Sequence, residues 1–312
     1  MEKIRVAVLM GGISSEREVS LSSGANVAEG LDRDKYQVTT VDFTGDVAPI
    51  VALKGKVDVV FLVLHGSGGE DGRMQGLLDL LEIPYTGSGV LGSAVAMHKG
   101  VAKDLYQIAG IPTPKSLKLS SLAGDSTLKR QVKLVRDKIG VPCVVKPANE
   151  GSSIGIAIVK DANDLEQAIA DAFLYDTELV IEAFVTGVEI SVPVLGTDDP
   201  RALPEIEIVP KSGVYDYEMK YTPGATEEIC PARISDAAHA KAAEYAVRAH
   251  QALHCWGVSR TDMIVTGDDV TVLETNTLPG MTGTSLLPLS AKTAGISLSE
   301  LLDMIIGAAL EK

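Results

Sequence analysis

The chain opens on an apolar run, Ile4 to Met10, that ends at Gly11 and Gly12; behind the polar turn, Leu21, Ala25 and Ala28 recur at helical spacing. An unbroken apolar run bounded by glycines reads as a strand buried on both faces, and the three-and-four spacing behind it as a helix. The unit repeats. Val57 to Leu64 runs into His65 and the loop GSGGEDG, after which Met74, Leu77, Leu78 and Leu81 mark one helical face. Alternation of this kind buries a parallel sheet between helical layers, and ligands gather at the carboxyl ends of its strands. Glu16 and His65 fall at such ends.

The pattern changes near residue 100, ahead of the punctuated stretch IAGIPTP. Cys143 to Pro147 reads as a strand, Glu150 to Gly155 as a turn and the run to Lys160 as a second strand. A helix with Leu165, Ile169 and Phe173 on one side follows, so this part is α+β. A strand from Leu179 to Val185 passes through Thr186 and Gly187 into strands at Ile190 to Leu195 and Ala202 to Val209, which begin a mainly antiparallel unit near 186. Three units are expected: 1–100, 101–185 and 186–312. Residues 211–232 carry three tyrosines and no sustained period, the pattern of a lid. Ser297 and Glu300 open a C-terminal helix in capping-box spacing, with Leu301, Leu302 and Ile305 turned inward.

Composition narrows the function classes. With 28 Lys and Arg against 42 Asp and Glu, the formal net charge is −14, which argues against nucleic acids and anionic membranes as partners. With 46% hydrophobic and 22% charged residues, a folded globular chain is expected. The uncharged stretch Ile83 to His98 is broken by Gly and Ser and falls short of the ~20 apolar residues of a membrane span. The N-terminal run is too short for a signal sequence. Cys143, Cys230 and Cys255 are odd in number, far apart and without CxxC, which fits a reducing cytoplasm.

Chemistry concentrates first in the strands around Gly267, Asp268 and Asp269. If those three residues form the loop, Thr266 faces Val270, Asp262 faces Glu274 and Arg260 faces Asn276. Arg260, Asp262, Glu274 and Asn276 then project to one side, and such oxygen donors suit Mg²⁺ carrying nucleotide phosphates. A solvated polar face is the alternative. Lys146 ends a buried strand and is followed by NEGSSIG, whose small residues let backbone amides approach a phosphate, or simply make a turn. Glu182 and Glu189 flank the Thr186–Gly187 turn, where a nucleoside could lie, or are two exposed glutamates. His250 and His254, four apart, lack a third metal ligand and read as structural.

With these residues laid out, the sequence resembles the ATP-grasp enzymes, and among them the D-alanine:D-alanine ligases. The resemblance is carried by MGGISSEREVSLSSG (10–24), LHGSGGEDGRMQGLL (64–78), PYTGSGV (84–90), VVKPANEGSSIG (144–155), YDYEMKY (215–221) and ETNTLPGMTGTSLLP (274–288). It implies an ATP-grasp fold of mixed α/β and α+β class, with an N-terminal parallel α/β domain and two α+β domains clasping ATP. It also implies a homodimer and a cytoplasmic enzyme of peptidoglycan precursor synthesis that joins two D-alanines through an acyl phosphate. By resemblance, Lys99 and Lys146 bind phosphates, Glu182, Ala183, Phe184 and Val185 surround adenine, and Glu189 meets ribose. Asp262, Glu274 and Asn276 match the ligands of Mg²⁺, with Mn²⁺ as a substitute. Glu16 would accept from the first D-alanine's ammonium, near His65 and linked to Ser152 and Tyr221. Lys220, Ser285 and the Leu286 backbone would hold the second D-alanine's carboxylate, and Arg260 with the Gly280 amide would stabilise the oxyanion. The resemblance associates a tyrosine at the position of Tyr221 with a dipeptide product rather than a depsipeptide. His98, Thr261 and Leu278 depart from the usual Asp, aliphatic residue and Ser. A ligase for another amino-acid pair, and a catalytically silent nucleotide-binding module, are the alternatives.

Overall fold

The computed structural model describes residues 2–121, 127–151, 154–210 and 226–312. Its N-terminal sheet is parallel, with β1 (Ile4–Gly11) between β2 (Tyr36–Phe43) and β3 (Val59–Leu62). Side chains of β1 alternate between two cores. Val6 and Val8 pack with Val27 of α1 (Arg17–Gly30) and with Leu301, Leu302 and Ile305. Ala7 and Leu9 pack with Met74 and Leu78 of α3 (Arg73–Leu81), beside Ile50 of the short α2 (Ala48–Val51). The C-terminal helices α9 (Leu286–Thr293) and α10 (Leu298–Leu310) thus cover the first sheet, and the capping box at Ser297 and Glu300 forms as expected.

The inward face of α1 is not the expected one. Leu21 is half-buried and Ala25 exposed, while Ser20, Ser23, Gly24, Val27 and Ala28 are buried. Two hydroxyls displace the apolar stripe because each has a backbone partner. Ser20 Oγ donates to Val63 O and accepts from Gly11 N, and Ser23 Oγ accepts from Met281 N. A buried hydroxyl costs little once its bonds are made.

Beyond α4 (Val90–Met97) and α5 (Lys99–Ile108) lies an antiparallel sheet in the order β4-β7-β5-β6, from β4 (Ser116–Ser120), β5 (Cys143–Pro147), β6 (Ala157–Val159) and β7 (Glu178–Ala183). Helices α6 (Leu128–Lys138) and α7 (Leu165–Ala172) bury one face of it, through Val132, Val135, Leu165 and Ile169. The expected strand to Val185 ends at Ala183, and Phe173 is only half-buried.

The third sheet is antiparallel, in the order β11-β10-β8-β12-β13, with β9 also on β8. Its strands are β8 (Val188–Leu195), β9 (Arg201–Ala202), β10 (Ile206–Pro210), β11 (Thr226–Ile229), β12 (Val258–Thr266) and β13 (Asp269–Asn276). The single strand expected over 202–209 is split at Pro204, which has no amide for the ladder. The end of the segment read as a lid is strand β11, paired with β10; residues 211–225 lie outside the described residues. Helix α8 (Asp236–Ala252) and α5 cover one face of this sheet, with Ala238, Ala242, Ala246 and Ala249 against Ile190, Val192, Met263 and Val272.

The β12–β13 hairpin corrects one expectation and keeps another. Thr266 pairs with Asp269, not Val270, so the turn holds two residues rather than three. A bulge opposite the Asp262–Met263 step then adds one residue, Leu273, to β13 and restores Asp262 opposite Glu274 and Arg260 opposite Asn276. The bulge also reverses sidedness. Val270 and Val272 face the α8 core, but beyond it Thr275 faces that side, buried against Thr261 and Tyr106. Glu274 and Asn276 are thereby turned to the opposite face.

Among the described residues, no single helix is long and apolar enough to cross a membrane. Ala246 is fully buried where α8 lies on the sheet. Ala246→Leu is expected to destabilise the chain by about 1–3 kcal/mol through overpacking, read by urea unfolding. An unchanged midpoint would mean that the helix–sheet gap is looser than this stripe of small residues indicates.

Candidate active site

The face of the large sheet turned away from α8 carries Arg260, Asp262, Glu274 and Asn276 together, as expected. Arg260 Nε and Nη2 donate to Asp262 Oδ1 and Oδ2 at 3.2 and 3.1 Å, and Ser191 Oγ on β8 donates to Asp262 Oδ1 at 2.5 Å. Asn276 Oδ1 accepts from Leu278 N at 3.0 Å, which orients the amide. Glu189 shares this face, since it pairs with Ile264, two residues along β12 from Asp262. Two carboxylates and an amide oxygen are hard donors that suit Mg²⁺. No group of three or more His, Cys, Asp or Glu that could hold a metal occurs among the described residues, so this donor set calls on the amide and on oxygens from a ligand.

Lys99 begins α5, its ammonium donating to Glu150 O at 2.5 Å and lying 3.8 Å from Glu274 Oε2. His98 caps that helix by accepting from Val101 N through Nδ1 at 3.3 Å, which leaves Nε2–H facing Glu178 at 2.8 Å. The departure from Asp at this position therefore keeps the capping function. Thr261 is accommodated by the Thr275 hydroxyl at 3.0 Å, and Leu278 by the core of the parallel sheet.

Lys146 on β5 is buried, with Nζ 3.1 Å from Glu182 Oε2, and Lys103 Nζ lies 2.9 Å from the other oxygen. The Glu182 carboxylate is thus held between two ammonium groups and is not turned toward solvent. Burial alone would raise its pKa, but Lys146 and Lys103 hold it below the usual carboxylate range. Burial opposes the Lys146 charge, and Glu182, Glu274 and Glu189 together hold that ammonium above the ordinary lysine range. Ala183 N and Phe184 N donate to Lys115 O and Pro142 O, at 2.8 and 3.2 Å.

Glu16 stands at the carboxyl end of β1, buried, where a loop of the parallel sheet meets one of the central sheet. A Cβ on Gly66 would lie 3.1 Å from Glu16 Oε2, and one on Gly151 3.0 Å from it. At both loops a side chain would press on the tip of the carboxylate, and Gly66 is also in the left-handed region at φ +68, where a side chain is strained. Ser14 Oγ accepts from Glu16 N at 3.2 Å and donates to His65 O at 2.7 Å, tying both residues to one turn. His65 is buried, with no hydrogen-bond partner at Nε2 among the described residues. Burial holds its pKa below the ordinary range; Glu16 and the Leu278 backbone oppose this, and Arg260 adds to it. His65, Glu16 and Arg260 thus share one electrostatic neighbourhood.

Ser285 precedes α9 but does not cap it. Its Oγ accepts from Thr282 N at 2.9 Å, lies 2.8 Å from Thr282 Oγ1, and sits 2.9 Å from where a Cβ on Gly280 would be. The first turn of the helix, from Leu286, thus carries no side-chain cap. Ser152, Lys220 and Tyr221 lie outside the described residues. His250 is buried against Ser259 Oγ at 2.8 Å, while His254 lies beyond the helix at φ +54, so the two do not form a site.

Four residues were not singled out by sequence: Ser14, Glu70, Lys103 and Ser191. Only the neighbourhood of Ser14 and Glu70 in glycine-rich loops could have flagged them. Lys103 and Ser191 sit in a helix and a strand whose partners are remote in sequence.

Models of the D-ala D-ala ligase N-terminus match residues 5–51 and 49–88, and of the D-ala D-ala ligase C-terminus residues 105–307. The chain is 52% identical over 312 residues to a D-alanine–D-alanine ligase of Syntrophobacter fumaroxidans, covering 99% of each chain. It is 45% identical over 309 residues to that of Desulforudis audaxviator, also covering 99% of each. Among solved structures it is similar to the D-alanine–D-alanine ligase from Bacillus anthracis complexed with ATP (TM-score 0.84, 34% identity, 99% of this chain and 98% of that one). It is also similar to the VanG D-Ala:D-Ser ligase from Enterococcus faecalis (TM-score 0.86, 34% identity, 99% of this chain and 100% of that one).

Glu70 yields a pH prediction. Its Oε2 accepts from Gly66 N at 2.7 Å, and burial, reinforced by Glu16 and opposed by Gly66, Arg260 and Lys99, pushes its pKa up to about 8. The unfolded chain releases that proton near 4.5, so over the interval the folded state binds more protons and stability falls as pH rises toward about 8. Glu70→Gln cannot ionise. Its melting temperature is expected to fall less than wild type's between about pH 6 and about pH 9. Parallel curves for the two proteins would show that Glu70 is already charged at neutral pH.

Proposed function

We infer that this chain, which belongs to the D-alanine–D-alanine ligase family, is an ATP-dependent ligase that joins two D-alanines to D-alanyl-D-alanine for peptidoglycan precursors. The observation that carries the assignment of its site is the shared face of Arg260, Asp262, Glu274 and Asn276, close to Lys99 of α5. In the reaction, the carboxylate of the first D-alanine attacks the γ-phosphorus of ATP, giving an acyl phosphate and ADP. The amine of the second D-alanine then attacks the acyl carbon, and the tetrahedral intermediate expels phosphate.

Each residue's part follows from its chemistry. Lys99 and Lys146 hold the phosphates, with Lys146 kept charged by Glu182. Glu182, Ala183, Phe184 and Val185 form the adenine wall, with the Glu182 carboxylate already engaged by two lysines. Glu189 accepts from the ribose hydroxyls. Asp262, Glu274 and Asn276 hold Mg²⁺, or Mn²⁺ in its place, which when bound neutralises phosphate charge. Glu16 accepts from the first D-alanine's ammonium, supported by Ser152 and Tyr221, while neutral His65 packs beside it. Ser285 and the Leu286 amide, with Lys220, take the carboxylate of the second D-alanine. Arg260 and the Gly280 amide stabilise the oxyanion. No side-chain nucleophile is involved.

We assign residues 1–100 to the domain of the first D-alanine, 101–185 to the central ATP-grasp domain and 186–312 to the C-terminal one. A homodimer is supported by the exposed apolar Leu80, Val90 and Leu91 on α3 and α4, and a cytoplasmic location by the need for ATP. The likeness to a D-Ala:D-Ser ligase supports one second reading, a different acceptor amine.

Incubation with ATP, Mg²⁺ and D-alanine is expected to yield phosphate and dipeptide in equal amounts. A parallel arm with D-serine tests the second reading, and phosphate without dipeptide would contradict the first. Arg260→Ala is expected to lower kcat by about 10²- to 10³-fold while ADP affinity survives; equal losses would place Arg260 in nucleotide binding. Gly151→Ala crowds Glu16 and is expected to raise KM for the first D-alanine with little change in KM for ATP. A rise confined to ATP would overturn the placement of Glu16.

A further inference from the structure

Lys103 lies in the middle of α5 and is only 1% exposed, an unusual place for an ammonium group. Three groups meet it. Glu182 Oε1 on β7 is 2.9 Å away, and the ammonium donates to Thr113 Oγ1 at 2.9 Å and to Leu273 O at 3.4 Å. The ammonium thus lies against a carboxylate, a hydroxyl and a backbone carbonyl. Burial pulls the Lys103 pKa below the ordinary lysine range, with Lys146 adding to the lowering and Glu182 opposing it. A charge so enclosed persists only if it is paired.

The three partners come from three places that have to agree. Glu182 belongs to the central sheet and orients Lys146. Thr113 belongs to the IAGIPTP connection, whose Pro112 O accepts from Val272 N at 2.8 Å. Leu273 is the extra residue of the β13 bulge, immediately before Glu274. Pro112 and Lys103 thus hold the backbone on successive residues at the point where β13 changes face.

We propose that Lys103 is a positioning residue that fixes the β13 bulge and so couples the orientation of Glu274 to that of the phosphate-binding Lys146. It rests on the assignment of Asp262, Glu274 and Asn276 to the metal. Lys103 is enclosed by protein groups and is 1% exposed. It acts through the Leu273 carbonyl on one side and the Glu182 carboxylate on the other, and removal of its charge releases both. Outer partners of metal ligands commonly matter about 10- to 100-fold in metal affinity.

The test measures ADP binding by calorimetry with and without Mg²⁺, in wild type, Lys103→Met, Lys103→Arg, Thr113→Val and Glu274→Gln. Lys103→Met is expected to reduce the Mg²⁺-dependent gain in ADP affinity by about tenfold or more, while KM for D-alanine stays within about twofold. Lys103→Arg, which keeps the charge, recovers part of that gain. Thr113→Val, which removes one acceptor and no charge, folds if Lys103→Met does not and is expected to lose a smaller share of it. A Lys103→Met protein with the wild-type Mg²⁺ gain overturns the proposal, as does a Thr113→Val protein with an unaltered gain where Lys103→Met fails to fold. Equal weakening of all ligands in step with a lower melting temperature also overturns it, as a purely structural role. If Glu274→Gln keeps the full Mg²⁺ gain, the metal assignment itself fails. Loss in Glu274→Gln without loss in Lys103→Met refutes the coupling alone.

Discussion

One inserted residue decides what the large sheet can do. Side chains on a strand alternate strictly, so a carboxylate two positions beyond Val272 would point into the α8 core with it. The bulge at Leu273 breaks that parity and lets β13 serve two environments, apolar toward α8 and acidic toward the opposite face. Asp262 needs no such device, because β12 keeps its alternation throughout. Glu274 comes opposite Asp262 only because β13 has one residue more than its partner.

The charges assembled around that face are compensated locally rather than by solvent. Glu182 lies between Lys103 and Lys146, Asp262 accepts from Arg260 and Ser191, and Lys99 faces both the Glu150 carbonyl and Glu274. Two lysines around one carboxylate leave a net positive charge buried at the end of β5, suited to phosphate oxygens. At the other side, Glu16, His65 and Glu70 approach Arg260 from the parallel sheet. Buried groups of this kind contribute little to stability when paired and cost a great deal when a partner is removed.

Much of this was legible in the chain itself. Glycine-bounded apolar runs marked β1, β3 and β5, and the spacing of Asp262 and Glu274 pointed to their shared face. That spacing succeeded through two compensating differences: a turn one residue shorter than expected and a bulge one residue longer. Alternation of apolar and polar residues cannot separate the two, since only parity at the ends is visible. The inward face of α1 was missed because Ser20 and Ser23 are buried through hydroxyl bonds to distant backbone, a partnership that local periodicity does not carry. Lys103 was invisible for the same reason: its partners stand 10, 79 and 170 positions away.

The position of a divalent ion decides what this face of the sheet does. Diffraction from crystals grown with ADP and Mn²⁺, recorded at the manganese absorption edge, locates that ion without reference to activity. An anomalous peak bounded by Asp262, Glu274 and Asn276, on the face of the sheet away from α8, is the result predicted. A peak held by other residues, or Glu274 turned into the α8 core with no metal beside it, would contradict it.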